Sequence, residues 1–401
     1  MHSMIRIRWV ALLLLACAAT AWAQQGSISD RISRDKRNWF GFVLGALGYY
    51  DNNLLGTIDE RRGDSAAALS PGIFFNFGGQ RTALHTDYRF TYRRYVHNRD
   101  LDARDHEGRF ELTRRLSRRT SLALADHARS GPNDILGITG AGSARMAADA
   151  EIGRRFFFDQ QRQLTNYLTA RFTAETGRHN RFNITAGYST YRYGTTRRED
   201  TDTIHAGLSD EYRLTRKLSI SGEVTNDWVD SSSDIRDGRI LRALGGLRWQ
   251  ITRYWEAFGR AGMERVSRGG AARIGATYEA SLSRTTDSSR IELGYQRRAG
   301  VQLGLRGVNR YETARAGFDR RLTSWMSGHL YSTYYRTDRL DRYGRLESVG
   351  GSAGFEFLLR HDLVATVFGH YLYQRQKGTA AGKFDVDRYI LLAGLQYFFA
   401  R

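Results

Sequence analysis

The chain carries the sequence L-T-R-K-L-S-I at residues 214–220, and apolar and polar residues alternate on both sides of it. Ile204 and Leu208 share a face of the alternation before this stretch, and Ile220 and Val224 share a face after it. A period of two on both sides of a short polar turn is typical of a β-hairpin. The stretch therefore predicts two antiparallel strands joined by a tight turn.

Turns of this kind recur along the chain. The copies are L-S-R-R-T-S-L at 116–122, Q-I-T-R-Y-W at 250–255, L-S-R-T-T-D-S at 282–288 and R-L-T-S-W-M at 321–326, with a looser copy, L-L-R-H-D-L, at 358–363. A separation of roughly 30–40 residues between copies leaves room for two strands of about ten residues and one longer loop. The repeat predicts an all-β protein built from consecutive hairpins.

We interpret the short turns as periplasmic and the long polar connections, which include residues 97–107, as extracellular loops. Nine hairpins then span about 39–77, 80–116, 120–156, 163–213, 219–250, 255–282, 289–321, 326–358 and 363–400. This division predicts a transmembrane antiparallel up-and-down β-barrel of about 18 strands, with 16 or 20 strands as the alternatives. Residues 181–193 also alternate, and we interpret them as an extracellular extension of the fourth hairpin, because bacterial barrels have an even number of strands.

The first residues have the pattern of a secretory signal peptide. Arg6 and Arg8 precede a short apolar core, and Ala21 and Ala23 fit a cleavage site. We predict a signal peptide at 1–23, a periplasmic N-terminal segment at 24–38 and an outer-membrane β-barrel at 39–401. An uncleaved anchor and lipidation at Cys17 are the alternatives. Cys17 is the only cysteine, so a mature chain without it has no disulfide.

The net charge is +19, and all but four of the 61 basic residues are arginine. A charge of this size favours a polyanionic partner. A secretory signal without a nucleic-acid-binding motif argues against nucleic acid. We therefore expect contact with outer-membrane lipid and acidic lipopolysaccharide, or with an acidic transported polymer.

A barrel turns apolar side chains to lipid and charged ones to a wet lumen, because an arginine at mid-bilayer depth costs about 2–4 kcal/mol. The lumen-lining candidates carry both signs: Arg89, Arg93, Arg109, Glu111, Arg145, Glu151, Arg171, Glu175, Glu223, Arg248, Glu256, Arg260, Arg273, Glu279, Arg290, Glu292 and Glu356. We expect cross-strand ion pairs among them. Such pairs either stiffen the wall or hold hydrated anionic sugars through guanidinium and carboxylate contacts.

Tryptophan placement predicts an aromatic girdle at the membrane interface. Trp39 opens the first predicted strand, and Trp249, Trp255 and Trp325 lie beside predicted periplasmic turns. Trp and Tyr concentrate at membrane–water interfaces because one end of the ring system is polar.

The sequence carries no catalytic or metal-binding motif that we recognise. We predict no enzymatic activity, no cofactor and no metal site. His85 and His205 fall on predicted inward faces without a recognisable partner.

Three segments carry a family resemblance: Y-R-L-T-R-K-L-S-I at 212–220, F-E-L-T-R-R-L-S-R-R-T-S-L at 110–122 and F-N-I-T-A-G-Y-S-T-Y-R-Y at 182–193. They resemble the β-barrel porin 2 family, outer-membrane barrels often encoded with exopolysaccharide synthesis genes. The resemblance covers most of the mature chain. It implies an 18-stranded barrel that passes a secreted exopolysaccharide, delivered by a periplasmic polysaccharide export protein.

The final strand, Y-I-L-L-A-G-L-Q-Y-F-F at 389–399, resembles the C-terminal signal that the barrel-assembly machinery recognises. We therefore predict an outer-membrane porin that exports an anionic exopolysaccharide through a polar lumen. Two alternatives stay open: a general or anion-preferring diffusion porin, and a structural or adhesive barrel with a filled lumen.

Overall fold

The computed structural model describes residues 40–54, 62–133, 159–193, 200–232, 237–268, 271–301, 308–338, 345–377 and 384–400. The predicted signal peptide, the segment 24–38 and Trp39 lie outside the described residues, as do Arg145 and Glu151. Within the described ranges, no helix is long and apolar enough to cross a bilayer.

The described residues form 18 antiparallel strands. They are β1 (Phe40–Asp51), β2 (Asp64–Gly78), β3 (Thr82–Tyr95), β4 (Ala103–Arg115), β5 (Thr120–Asn133), β6 (Asp159–Glu175), β7 (Asn180–Tyr193), β8 (Thr201–Arg213), β9 (Leu218–Ser231), β10 (Gly238–Gln250), β11 (Trp255–Arg268), β12 (Ala271–Thr285), β13 (Ser289–Val301), β14 (Val308–Arg321), β15 (Met326–Asp338), β16 (Arg345–Arg360), β17 (Leu363–Lys377) and β18 (Phe384–Ala400). Each strand pairs with its sequence neighbours, and β1 pairs with β18. The sheet is therefore a closed barrel, and the predicted count of 18 strands is confirmed.

The recurrent turns are closed by a serine or threonine side chain. Thr215 Oγ1 accepts hydrogen bonds from the backbone N–H groups of Lys217 (3.1 Å) and Leu218 (3.0 Å). Ser117, Thr252 and Thr286 bond in the same way to residues two and three positions later. A hydroxyl that satisfies two backbone donors holds a short turn between antiparallel strands. These turns, the start of β1 and the end of β18 lie at one end of the barrel, the turn end; the longer connections lie at the other, the loop end.

Two predictions on topology are wrong. Residues 181–193 are not an extracellular extension, because Asn180–Tyr193 is a full strand, β7, that pairs with β6 and β8. The third hairpin consequently joins β5 to β6, and the second strand predicted before residue 156 falls on residues that the structure does not describe. The predicted loop 97–107 is also too long, because β4 begins at Ala103.

The outer face is predominantly apolar. Leu208 is 51% exposed and Val224 is 49% exposed, and both point away from the charged side of their strands. Near the turn end lie exposed Phe77, Trp249, Trp325 and Phe399, and nearer the loop end lie Tyr50, Tyr88, Tyr188, Trp228, Tyr371 and Tyr389. About ten residues along a strand separate the two groups of aromatic side chains. That length corresponds to a height of roughly 25 Å along the barrel axis when strands tilt by about 40°. An apolar band of this height between two aromatic girdles defines a transmembrane barrel.

The inner face has two unlike parts. On β1, β2, β17 and β18 it is buried, and Val43, Phe74, Val364 and Phe398 pack in one apolar cluster there. Toward the loop end a second cluster lies on the same strands and on β3, and it includes the loop residue Leu54. Charged side chains dominate the inner face from β3 to β14. The polar lumen expected from the sequence is therefore interrupted along this arc by packed apolar side chains, with buried polar groups such as His370 and Gln396 among them.

Candidate functional site in the barrel lumen

The predicted lumen residues that the structure describes all lie on the inward side of their strands. They are Arg89, Arg93, Arg109 and Glu111 on β3 and β4; Arg171 and Glu175 on β6; Glu223, Arg248, Glu256 and Arg260 on β9 to β11; Arg273, Glu279, Arg290 and Glu292 on β12 and β13; and Glu356 on β16. On each of these strands the opposite face carries the exposed apolar side chains.

Arg260 on β11 joins carboxylates from two other strands. Its Nε and Nη2 atoms donate to Glu279 Oε2 on β12 at 2.9 and 2.7 Å. Its Nη1 donates to Glu223 on β9, on the far side of β10. The planar guanidinium presents several donors in a fixed fork, so it can hold two carboxylates in one geometry. Arg260 thus fixes three strands of the inner wall.

Similar pairs recur toward the turn end. Arg248 Nη1 donates to Glu256 Oε1 at 2.7 Å. Arg290 and Arg315 both contact Glu292, at 2.7 and 3.0 Å. Charge pairs between facing strands stabilise a sheet when the side chains share a face.

A second network on β3 to β5 was missed by sequence reasoning. Glu107 contacts Arg109 (Nε–Oε1 3.1 Å) and His127 (Nε2–Oε1 3.0 Å). Asp105 contacts Arg129 at 3.1 Å and also Arg93. Because residues 97–107 were predicted to form a loop, these two carboxylates were not assigned to the lumen from the sequence. The signal for them was the alternation of Asp105, Glu107 and Arg109, which extends β4 toward its N-terminal end.

The two inward histidines have partners, contrary to the sequence expectation. His205 Nδ1 lies 2.5 Å from Asp227 Oδ1 on β9. His85 lies between Asn76 Oδ1 (2.6 Å) and Asp87 Oδ2 (3.1 Å). Both rings are therefore part of the hydrogen-bonded wall.

A groove of about 450 Å³ lies against the inner wall of β6 to β11. Its charged lining comprises Arg171, Arg181, Arg248, Arg260, His205, Asp210, Glu211 and Glu223. Among the described residues, Arg171 forms no ion pair, whereas Arg260 is bound on both sides. The groove thus offers at least one guanidinium to a solute.

The loop-end tip of the β13–β14 hairpin leaves the barrel wall and enters the lumen. Pairing between β12 and β13 stops at Tyr278 and Arg297, although both strands continue toward the loops. Beyond that point Ala299 and Val308 pack against inward-facing Val229, Ile240 and Val266 of β9 to β11. A Cβ at Gly275 of β12 would collide with the guanidinium of Arg310. The absence of a side chain at Gly275 therefore leaves room for the β13–β14 hairpin to pass β12.

Glu264 on β11 fastens this tip. The carboxylate is fully buried and accepts hydrogen bonds from Ala299 N (2.7 Å) and Arg310 Nε (3.0 Å). Arg242 Nη2 donates to Ala299 O at 2.9 Å. A buried charge held by several donors resists displacement, because losing a donor leaves it unpaired. The tip therefore narrows the lumen near the loop end.

A closed barrel of 18 strands with two aromatic girdles and a charged inner wall has the architecture of the outer-membrane β-barrels. No family model matches the chain, so membership in the β-barrel porin 2 family stays a prediction. No curated protein matches it either.

Among solved structures, the chain is similar to OccK11 (OpdR) of Pseudomonas aeruginosa, with 13% identity over 94% of this chain and 98% of that chain and a TM-score of 0.48. Pseudomonas aeruginosa OpdK with vanillate gives 11% identity, coverage of 90% and 99%, and a TM-score of 0.47. OccAB4 of Acinetobacter baumannii gives 11%, coverage of 91% and 100%, and a TM-score of 0.45.

Proposed function

We propose that this protein is a passive outer-membrane channel for small hydrated solutes, with a preference for anions. The groove on β6 to β11 carries the proposal, because Arg171 lines it without an ion pair among the described residues. An unpaired guanidinium in a partly dehydrated site attracts carboxylate and phosphate groups and can bind them in bidentate fashion.

The remaining charges of the wall favour the passage of an anion through the lumen over its tight binding. Arg260 and Arg248 are already bound by carboxylates of the wall. A passing anion must therefore compete with those carboxylates for the two guanidinium groups. Competition of this kind keeps a solute hydrated and weakly held, which a conducting channel requires.

The inward hairpin and the buried apolar arc support a restricted path. With the inner face of β17, β18, β1 and β2 packed, the aqueous route follows the charged wall from β3 to β14. Glu264 and Ala299 hold the hairpin tip that projects into that route near the loop end. We therefore expect the channel to pass solutes of about the size of the groove.

Reversal potentials across planar bilayers under a KCl gradient test the proposal. We expect the native protein to favour chloride, and Arg171→Gln to shift the reversal potential toward cation preference. Arg265→Gln is the matched control, because Arg265 lies exposed on the outer face of β11. An equal shift in the control, or a native channel without anion preference, would contradict the proposal. A folded protein without conductance would favour the filled, structural or adhesive barrel.

Export of an anionic exopolysaccharide is the second candidate. Ion pairs recur from Arg248 and Glu256 near the turn end to Arg242 and Glu264 near the loop end, a ladder that an extended polymer could follow. A periplasmic polysaccharide export protein and assembly by the barrel machinery belong to this proposal. Deleting the gene and measuring released and cell-bound polysaccharide separates the candidates, because only the exporter requires a loss of released polymer.

A further inference from the structure

Two arginines lie side by side on the outer face, just beyond the aromatic girdle of the loop end. Arg104 on β4 is opposite Tyr92 on β3, and Arg94 is two residues further along the same face of β3. Diagonal neighbours on one face of an antiparallel pair are about 7–8 Å apart, within reach of a shared ligand for long side chains. Both are exposed, and within the described part of the chain neither has an ion-pair partner.

A third arginine extends this pair along the barrel. Arg162 on β6 is opposite Pro132 of β5, and its Nε donates to Ser130 Oγ at 3.2 Å. Ser130 is in turn opposite His106 of β4. Arg94, Arg104 and Arg162 therefore form one surface, which we call the outer arginine patch.

Aromatic and polar side chains border the patch on its membrane side. The Tyr88 hydroxyl and His106 Nδ1 are 2.8 Å apart, and Tyr92 is exposed beside them. Tyrosine rings at this level mark the boundary between hydrocarbon and head groups. The guanidinium groups of the patch consequently lie at head-group depth.

Three other outward arginines near the loop end are neutralised within the chain. Arg192 pairs with Asp202 at 2.6 Å, Arg297 with Glu312 at 3.7 Å and Arg375 with Asp385 at 3.4 Å. The outer arginine patch lacks such carboxylates among the described residues. Its charge therefore remains available to a ligand from the surrounding leaflet.

We propose that the outer arginine patch binds the phosphate groups of lipopolysaccharide in the outer leaflet. Phosphate suits three neighbouring guanidinium groups because each can donate two parallel hydrogen bonds to its oxygens. The bordering tyrosines place those phosphates at their natural depth while the acyl chains lie along the apolar belt. This inference does not depend on what passes through the lumen.

Binding of purified protein in detergent to bisphosphorylated lipid A tests the proposal, with dephosphorylated lipid A and inorganic phosphate as separate ligands. We expect Arg94→Gln/Arg104→Gln/Arg162→Gln to weaken lipid A binding by about tenfold or more, as expected for losing charge-assisted hydrogen bonds. Arg192→Gln/Arg297→Gln/Arg375→Gln removes the same net charge from paired positions and should weaken binding less. Unchanged channel conductance and heat-dependent gel mobility of the patch variant will show that it is folded.

Equal losses in the two triple variants would overturn the proposal, because general charge attraction would then suffice. Equal binding of phosphorylated and dephosphorylated lipid A would overturn it as well. Inorganic phosphate that binds as tightly as lipid A would indicate an ion site and would contradict a lipid site.

Discussion

Arg388 on β18 and Asp51 at the end of β1 form a buried ion pair across the strand pair that closes the barrel. Arg388 Nε lies 3.0 Å from both carboxylate oxygens of Asp51, and Nη2 completes a forked contact. The two residues are 1% and 0% exposed and 337 positions apart in the chain. The seam between the first and last strands is therefore held by a side-chain pair in addition to backbone hydrogen bonds.

Asp51→Asn should destabilise the barrel more than removing both charges does. A buried guanidinium without its carboxylate costs about 3–5 kcal/mol, whereas replacing a whole buried pair by apolar residues is often nearly neutral. Urea unfolding in detergent, followed by intrinsic fluorescence, measures both variants. A double variant, Asp51→Leu/Arg388→Leu, that is as unstable as Asp51→Asn would contradict this prediction, because the loss of stability would then not come from an unpaired buried guanidinium.

Glu264→Gln should widen the channel. The neutral side chain loses charge-assisted bonds to Ala299 N and Arg310, so the fastening of the hairpin tip weakens by about 1–3 kcal/mol. Single-channel conductance is expected to rise and to fluctuate more. Glu279→Gln removes the same charge from β12 without touching the tip, and equal conductance changes in both variants would argue against the constriction.

Arg260→Gln should move ion selectivity toward cations. It leaves Glu223 and Glu279 without their shared guanidinium, which exposes two carboxylates to the lumen. Reversal potentials measure the shift. Arg260→Lys keeps the charge but not the planar fork, so we expect it to retain most of the selectivity; a loss as large as that in Arg260→Gln would contradict the electrostatic reason.

Leu208→Arg should impair insertion, whereas Ser209→Arg should be tolerated. Leu208 faces outward near mid-depth, where an arginine costs about 2–4 kcal/mol. Its chain neighbour Ser209 lines the inner groove. Folding yield into lipid vesicles, read from heat-dependent gel mobility, compares the two variants. Equal yields would mean that the assigned outward and inward faces are wrong.

Sequence reasoning was strongest where the signal is local. Alternation assigns Arg248 and Trp249 to opposite faces whatever the neighbouring strands are, because successive side chains of a strand point to opposite sides. The hydroxyl of Thr215 identifies its turn for the same reason, since its partners are two and three residues away. The approach failed at residues 176–179, where T-G-R-H does not match the repeated turn sequences and yet joins β6 to β7.

The sequence by itself determined the all-β architecture, the hairpin repeat and the inward face of each charged strand. Only the tertiary structure decided which charges meet, because Arg260 reaches Glu223 across an intervening strand and Asp51 reaches Arg388 across the barrel closure. It also decided that the β13–β14 tip enters the lumen. That path depends on Ala299, Glu264 and Gly275, and no local pattern encodes contacts between strands whose register and neighbours are set only when the barrel closes.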